Sequence, residues 1–361
     1  MLKVKSEKFE TTIRIVLAFV FSFVLFGVVI AICGHNPIDA FYQLFRGGFG
    51  SKFNFGSLIE DFIMILTIAS AYSLTRRIGY FNLGLEGSFY LGAMFSAAPA
   101  FLLPDLPKIV IIPISLACGF IVAALYGSIC GILKAYYNVN EACTTILMNY
   151  VAMFFCDFMI NNVWVSPGSP IPQTPRVQEN AMFAKLPLSP SRASTAIFVA
   201  FLVYVFVYFL TFRTTFGFKI RNVATNARFS DTVGMKSKRV VLATVMLSCG
   251  LGGIAGGLEV LGIYGSFIQN FSQNSAFQGI IACLLVNNNL ALVPLSSFFI
   301  SFTRAGGSGM EYYTGISSAL IYTVTPLMIL FVSMEKMFDY KRFFRFVKKI
   351  FVRNKEMNVK E

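Results

Sequence analysis

The strongest constraint on this chain is a series of apolar runs, several of them long enough to cross a lipid bilayer as a helix. Such a crossing needs about 20 apolar residues. Only 13% of the 361 residues are charged and 56% are hydrophobic, whereas a soluble domain carries about 25% charged residues. The sequence therefore predicts an all-α polytopic membrane protein with a single transmembrane domain over residues 1–361, and it argues against a cytosolic enzyme. The runs cover 15–33, 58–74, 84–103, 109–133, 143–160, 196–212, 240–262, 277–286, 290–302 and 316–332.

The distribution of basic residues predicts how the chain is oriented. The runs at 277–286 and 290–302 are each shorter than a full crossing, so they are either two short spans or one broken span. Counting them as two gives about ten transmembrane helices with both termini cytoplasmic. In that arrangement 23 of the 30 Lys and Arg residues lie inside, and the other seven, Arg304 among them, lie outside. Counting them as one places the tail at 333–361, with nine basic residues, outside, against the positive-inside rule.

Three segments outside the spans have distinctive compositions. Asn36 and Pro37 form the pattern of a helix start, so the segment at 34–56 is predicted to contain a short helix on the outer surface. Residues 161–194 hold six prolines and the only tryptophan, which indicates an irregular extracytoplasmic loop. The apolar residues of the basic tail at 333–361 share one helical face, which predicts that this tail lies on anionic membrane lipid.

The sequence contains no motif for ATP binding or for the common metal-dependent and covalent hydrolases. The seven cysteines lie almost all within apolar runs, which indicates small buried residues rather than disulfides or metal ligands. The single histidine, His35, follows the first run and makes a histidine-based acid–base centre improbable. If this chain moves a solute against a gradient, it must use an ion gradient or a separate ATPase.

Polar residues inside apolar runs are expensive in a membrane, so they indicate either function or helix contacts. Asn82 and Glu86 are four residues apart and share one helical face. Glu141, Thr145 and Asn149 repeat at the same spacing and form a polar stripe. Glu86 either serves transport, neutralises a neighbouring arginine or caps a broken helix. The stripe either lines a pathway or joins two helices by hydrogen bonds.

Residues 249–261 combine closely spaced glycines with one carboxylate. Gly252 with Gly256 and Gly253 with Gly257 have the spacing of the GxxxG motif, which predicts close helix packing. Glu259 differs from the rest of this segment, because packing alone does not require a carboxylate.

The segment at 213–239 is long for a loop between two predicted spans. It holds seven Lys and Arg residues against one Asp, and its glycines and interspersed apolar residues predict short helices with turns. An ordinary basic inner loop is the simpler interpretation. The unusual length makes the segment the best candidate for docking a cytoplasmic partner.

Four segments match motifs of one known family, in the same order. FNLGLEG at 81–87 is similar to the signature FNIGxEGQ, and VNEACTTILMNYVA at 139–152 is similar to VNEVVTTIMLNYIA. FGFKIRNVATN at 216–226, followed by Gly234, resembles the family's coupling loop, and GGLEVLG at 256–262 resembles the helix after it. The chain thereby resembles the permease subunits of ABC importers, in the nucleoside and simple-sugar branch of the ribose and branched-chain amino acid permease superfamily.

The resemblance implies a membrane-spanning subunit that works with partners. These are ABC ATPase subunits, a second permease subunit that is identical or paralogous, and an extracytoplasmic solute-binding protein, all at a bacterial plasma (inner) membrane. ATP and Mg²⁺ are expected on the ATPase, with no cofactor and no nucleic acid on this chain. By the same resemblance the ATPase-coupling surface contains Gly217, Arg221, Asn226 and Gly234. The substrate pathway is predicted to contain Asn82, Glu86, Glu141, Thr145, Asn149 and Glu259.

The family branch favours a nucleoside as substrate, with purine nucleosides first. A monosaccharide such as ribose or galactose is the alternative. Two other classes stay open: an ion-coupled secondary transporter that uses Glu86 or Glu259 as its proton or sodium site, and a membrane scaffold without transport. Ser88, Ala224 and Ala227 stand where the family usually has Gln, Gly and Pro, which fits one half of a heterodimeric pair.

Overall fold

The computed structural model describes residues 24, 27, 28, 30–32, 34–272, 274–315 and 317, and this part of the chain is mostly helical. Most of the predicted runs at 15–33 and 316–332, and all of the tail at 333–361, lie outside the described residues. The helices that position the site are α1 (Pro37–Phe49), α2 (Lys52–Arg77), α3 (Leu85–Leu102), α4 (Lys108–Tyr137), α5 (Glu141–Asn162), α6 (Ala196–Arg213), α7 (Thr215–Thr225), α8 (Ala227–Thr232), α9 (Ser237–Glu259), α10 (Ala276–Leu285) and α11 (Val293–Thr314).

Within the described ranges, six helical segments are long and apolar enough to cross a membrane. This confirms the prediction of a polytopic all-α membrane protein. The total of about ten spans and the cytoplasmic location of both termini remain predictions. Helices α4, α5 and α6 expose many apolar side chains on the surface of the subunit, where a membrane protein contacts lipid or a second subunit.

Helix α2 is the centre of the bundle. It contacts α1, α6, α9, α10 and α11, and every residue from 62 to 75 is buried. A helix enclosed on all sides is apolar all round and lacks a polar face. Buried serine and threonine hydroxyls bond within the helix itself: Thr67 donates to Ile63 O and Ser70 donates to Leu66 O, both at 2.7 Å.

The glycines of α9 allow α3 and α4 to approach it closely. A Cβ atom on Gly253 would lie 2.6 Å from the carbonyl oxygen of Gly119 in α4. In α3, a Cβ atom on Gly92 would lie 2.1 Å from the Cα of Gly253. A Cβ atom on Gly256 would lie 2.1 Å from the carbonyl oxygen of Phe89. Because none of these positions has room for a side chain, the close packing predicted from the GxxxG pairs is confirmed.

Helix α9 does not end in a regular turn. It continues as a wider π-helical turn, Val260–Tyr264, and then reaches Gly265, whose φ of 71° is in the left-handed region. Irregular turns of this kind occur frequently at functional sites. The chain then runs back along α3, where Phe267 and Phe271 contact the ring of Tyr90, before the short helix α10 begins.

The apolar run at 290–302 was a wrong prediction of where this helix ends. The helix, α11, continues to Thr314 and has 22 residues. Arg304, counted above as an outer charge, therefore lies within α11, where it pairs with Asp61 of α2. Hydropathy falls after residue 302 because small and polar residues follow. Those small residues serve packing, since a Cβ atom on Gly306 would lie 2.6 Å from the carbonyl oxygen of Leu44 in α1.

The segments on the predicted outer side pack against this bundle. The helix expected within 34–56 is present as α1, and Asn36 caps it by accepting from Ile38 N at 3.0 Å. Residues 161 and 162 of the loop predicted at 161–194 still belong to α5, and the rest is irregular apart from the short turn Glu179–Ala181. It hydrogen-bonds to the segment after α9, where Val177 N donates to Gly265 O at 2.7 Å. The loop thus covers the end of α9 that carries the π-helical turn.

Candidate functional site

The start of α3 is held by the polar stripe of α5. Residues 80–83 are not helical, and they lead into α3 inside the bundle. The Nδ2 of Asn149 donates to Leu83 O at 2.8 Å, and its Oδ1 accepts from Gly87 N at 2.8 Å. The hydroxyl of Thr145 accepts from Leu83 N at 3.3 Å. One amide and one hydroxyl therefore satisfy backbone groups that the helix start leaves without intrahelical partners.

Asn82 ties the same helix start to α9. Its Oδ1 accepts from Gly84 N at 3.0 Å, and its Nδ2 lies 3.4 Å from Ser248 Oγ and 3.6 Å from Cys249 Sγ. Ser248 in turn donates to Ala71 O of α2 at 2.7 Å. Asn82 is fully buried, so this network joins α2, α3 and α9 in the core of the subunit.

Glu86 caps the start of α10. Its Oε1 accepts from Ser272 Oγ at 2.5 Å, and its Oε2 accepts from Ala276 N, the first residue of α10, at 3.0 Å. Ser272 Oγ also accepts from Ser275 N at 3.2 Å. Glu86 is 1% exposed, and a carboxylate at a helix N-terminus interacts favourably with the free N–H groups there. Of the alternatives for Glu86, this geometry supports the cap of a broken helix.

Glu141 is separate from the other residues of its stripe. Its Oε2 lies 2.6 Å from Lys134 Nζ, so it pairs across the turn between α4 and α5. Thr145 and Asn149 are buried against α3, while Glu141 is partly exposed. Of the two alternatives for the stripe, the contacts support the joining of helices.

A polar cavity of about 280 Å³ lies between α2, α3, α9 and α11. Glu259 on the last turn of α9 and Tyr264 at the end of the π-helical turn both line it. Ser272, which Glu86 holds, belongs to the same wall. The cavity therefore contains one of the predicted pathway residues and is linked through Ser272 to a second.

Acidic side chains outnumber basic ones in the wall of this cavity. Asp61 Oδ1 is 3.1 Å from Arg304 Nε, and Arg304 Nη1 donates to Ser275 Oγ at 3.2 Å. Glu60 Oε1 accepts from Ser191 Oγ at 3.0 Å and from a backbone N–H of the outer loop at 2.7 Å. Glu259 Oε2 is buried and has no hydrogen-bond partner among the described residues. Three acidic side chains and one arginine thus line the cavity.

Sequence reasoning did not assign Glu60, Asp61 or Arg304 to a site. The available signal was the acidic pair at the start of an apolar run, together with an arginine close to the end of another run. Neither signal identifies its partner, because the pairing between Asp61 and Arg304 depends on how α11 packs against α2.

The predicted coupling residues determine the shape of the loop between α6 and α9, away from the cavity. A Cβ atom on Gly217 would lie 2.2 Å from Thr211 O, so α7 packs closely on the end of α6. Arg221 Nη1 donates to that same carbonyl oxygen at 2.7 Å. Asn226 caps α8 by accepting from Phe229 N at 3.0 Å. The short helices predicted in this loop are present as α7 and α8.

The loop also holds the start of α9. Gly234 turns the chain with a φ of 82°. Asp231 then accepts from Ser237 N at 2.6 Å and from Ser237 Oγ at 2.7 Å, and these bonds lower the pKa of Asp231. A lowered pKa means that this stabilisation is present above the ordinary pKa of an aspartate and is lost as the pH falls through the folded-state value.

Within the described residues, no group of three His, Cys, Asp or Glu side chains is arranged to hold a metal ion. The six cysteines that the structure describes are free. Four of them are buried as predicted, whereas Cys118 is partly exposed and Cys143 is exposed.

A comparison with known proteins identifies relatives of this chain. A family model described as branched-chain amino acid transport system / permease component matches residues 54–333. The nucleoside ABC transporter permease protein NupB of Lactococcus lactis subsp. cremoris is 27% identical over 327 residues, covering 88% of this chain and 90% of the relative. The guanosine ABC transporter permease protein NupP of Bacillus subtilis is 28% identical over 314 residues, covering 85% and 88%. A glucose ABC transporter permease protein of Haloferax volcanii is 26% identical over 325 residues, covering 88% and 85%. No solved structure matches the chain significantly.

The cap that Glu86 provides can be tested by hydrogen exchange. Glu86→Ala removes the acceptor at the start of α10, so the backbone amides at 274–278 are expected to exchange about tenfold faster. Glu86→Gln keeps one acceptor oxygen and should give a smaller increase. Exchange measured by mass spectrometry on the purified protein checks this. The control is Glu179→Ala in the exposed outer loop, and unchanged exchange at 274–278 in Glu86→Ala would contradict the cap.

Proposed function

The chain belongs to the branched-chain amino acid transport permease family, and we propose that it is the membrane-spanning subunit of an ATP-driven importer of a nucleoside. As a family member it is a multi-pass plasma-membrane transport subunit of the ABC class, not an enzyme, and the ATPase is a separate subunit. The proposed substrate is a purine nucleoside such as guanosine, delivered by an extracytoplasmic binding protein. A second permease subunit completes the transmembrane part.

The proposal of a nucleoside as the substrate rests on the similarity to two nucleoside permeases. Both alignments extend over at least 85% of this chain and at least 88% of the relative, so they include the bundle and the loop between α6 and α9. A monosaccharide is the second candidate, because the glucose permease aligns over a comparable length.

The loop at 213–239 has features suited to transmitting the movement of an ATPase. Its helices α7 and α8 are each held at one end by a side-chain cap, and α7 packs on α6 at Gly217. These contacts suit the loop to move as one body when the ATPase pushes on it. Phe218, Phe229 and Val233 expose 53%, 60% and 53% of their surface. Exposed apolar side chains on a predicted cytoplasmic loop are suited to bury against a protein partner. We assign the ATPase contact to this surface.

In this proposal the predicted pathway residues have two roles: they line the polar cavity or they hold the ends of helices. Glu259 lines the polar cavity. Asn82, Glu86, Thr145 and Asn149 hold helix ends, so they shape the path by fixing α3 and α10. Glu141, paired with Lys134, fixes the turn between α4 and α5. No covalent chemistry is required of this chain, and ATP with Mg²⁺ acts on the ATPase subunit.

Competition for uptake tests the function directly. In cells that carry the chain and its partners, uptake of radiolabelled guanosine should be inhibited by unlabelled adenosine at lower concentrations than by ribose, and deletion of the chain should abolish it. ATP depletion should stop uptake, while an uncoupler that leaves ATP intact should not. Loss of uptake with the uncoupler alone would favour an ion-coupled transporter, and unchanged uptake after deletion would favour a scaffold.

The coupling surface can be tested with one exposed aromatic residue. Phe229→Ala removes an apolar side chain from α8, so ATP-dependent guanosine uptake is expected to fall about tenfold with normal membrane insertion. Copurification of the ATPase should fall in parallel. The control is Tyr137→Ala, which removes an exposed aromatic residue at the end of α4, outside the loop. Uptake and copurification that both match the wild type would remove Phe229 from the contact.

A further inference from the structure

The polar cavity offers more hydrogen-bond acceptors than the chain itself uses. Asp61 is paired with Arg304, and Glu60 accepts two hydrogen bonds from the outer loop. Glu259 Oε2 is buried and without a partner among the described residues. A carboxyl oxygen accepts hydrogen bonds, and a buried polar group without a partner inside a membrane protein is costly and typically functional. A ligand that donates hydrogen bonds would satisfy Glu259.

A second chamber of opposite charge adjoins the cavity on the predicted outer side. It has a volume of about 430 Å³ and is lined by Arg176, Lys185 and Arg192, with no acidic residue among its described lining. Ile263 and Tyr264 line both spaces. Both spaces therefore border the π-helical turn that ends α9.

The two charge patterns act on solutes in opposite ways. A cation entering from outside is repelled by the basic chamber, whereas an anion is attracted there but repelled by the carboxylates of the cavity. An uncharged solute meets neither barrier. If its surface carries hydroxyl and amino groups, it also donates the hydrogen bonds that Glu259 lacks.

We propose that the cavity is a substrate-binding subsite within a single permease subunit, which takes an uncharged, hydroxyl-rich solute from the outer chamber past Tyr264. Glu259 accepts hydrogen bonds from the solute, and the serines of the wall complete the polar contacts. The volume is near the lower end of the range for small-molecule sites, which suits a solute of nucleoside or monosaccharide size. The identity of the solute as a nucleoside rests on the function proposed above.

The carboxylate is tested by the concentration dependence of uptake. Glu259→Gln keeps the shape but weakens the acceptor, so the KM for guanosine uptake is expected to rise about tenfold with a maximal rate within about twofold of the wild type. Glu311→Gln, an exposed residue of α11, is the matched control and should match the wild type. An unchanged KM in Glu259→Gln, in cells where the wild type takes up guanosine, overturns the subsite. Absence of nucleoside uptake by the wild type instead overturns the proposed function.

Thiol labelling tests occupancy even if Glu259→Gln fails to fold. Ser57→Cys places a thiol in the cavity wall, to be modified from outside by a membrane-impermeant methanethiosulfonate, with the wild type as background. Guanosine should slow modification about fivefold, and guanosine monophosphate should not, because its charge is repelled. Ser189→Cys, on the exposed outer loop, should label at a rate that neither compound changes.

Three labelling results overturn the subsite. These are no protection by guanosine, equal protection by guanosine monophosphate, and protection by Na⁺ alone with none added by guanosine. Because labelling does not depend on ATP, protection by guanosine in cells that show no uptake would retain the subsite and contradict the importer instead.

Discussion

Helix starts enclosed in the bundle depend on side chains from neighbouring helices. The first N–H groups of a helix have no intrahelical partner, and inside a membrane protein each unsatisfied group costs several kcal/mol. Asn149 of α5 accepts a hydrogen bond from a backbone N–H at the start of α3, and Glu86 of α3 accepts one at the start of α10. The position of each broken helix is therefore set by the helix beside it. This dependence explains why Asn82, Glu86 and Asn149 are almost fully buried.

Helix α9 connects the two ends of the subunit that the proposed mechanism uses. Helix α9 starts at Ser237, held by Asp231 of the loop, and ends with Glu259 and Tyr264 at the cavity. Between these ends its glycines lie against α3 and α4 with no room for a Cβ atom. In the proposed mechanism, helices packed this closely move together, and a push by the ATPase on the loop therefore reaches the turn that separates the chamber from the cavity.

Much of the fold follows from the sequence, because hydropathy and glycine spacing are local signals. The runs at 58–74, 109–133, 143–160 and 196–212 each coincide with an observed helix, and the GxxxG pairs of α9 pack as predicted. The end of α11 was missed, since the small residues after 302 lower hydropathy while serving contact with α1. Burial of such residues depends on a helix that is distant in sequence.

The site is less accessible to sequence reasoning than the fold. The stripe of Thr145 and Asn149 was visible, but whether it lines a path or caps a helix depends on which backbone lies opposite. The pair of Asp61 and Arg304 and the lack of a partner for Glu259 depend on the packing of α2, α9 and α11 together. The need for glycine at 217 likewise appears only once the last carbonyls of α6 are located.

Accumulation of guanosine in proteoliposomes is the most direct test of the central claim, that this chain forms the path of an ATP-driven nucleoside importer. The vesicles would hold the chain with its second permease subunit and ATPase, with ATP and Mg²⁺ inside and the binding protein with labelled guanosine outside. The account predicts that internal guanosine rises above the external concentration with ATP, and that it does not with a non-hydrolysable analogue. Accumulation driven by a proton or sodium gradient in vesicles without the ATPase would contradict it.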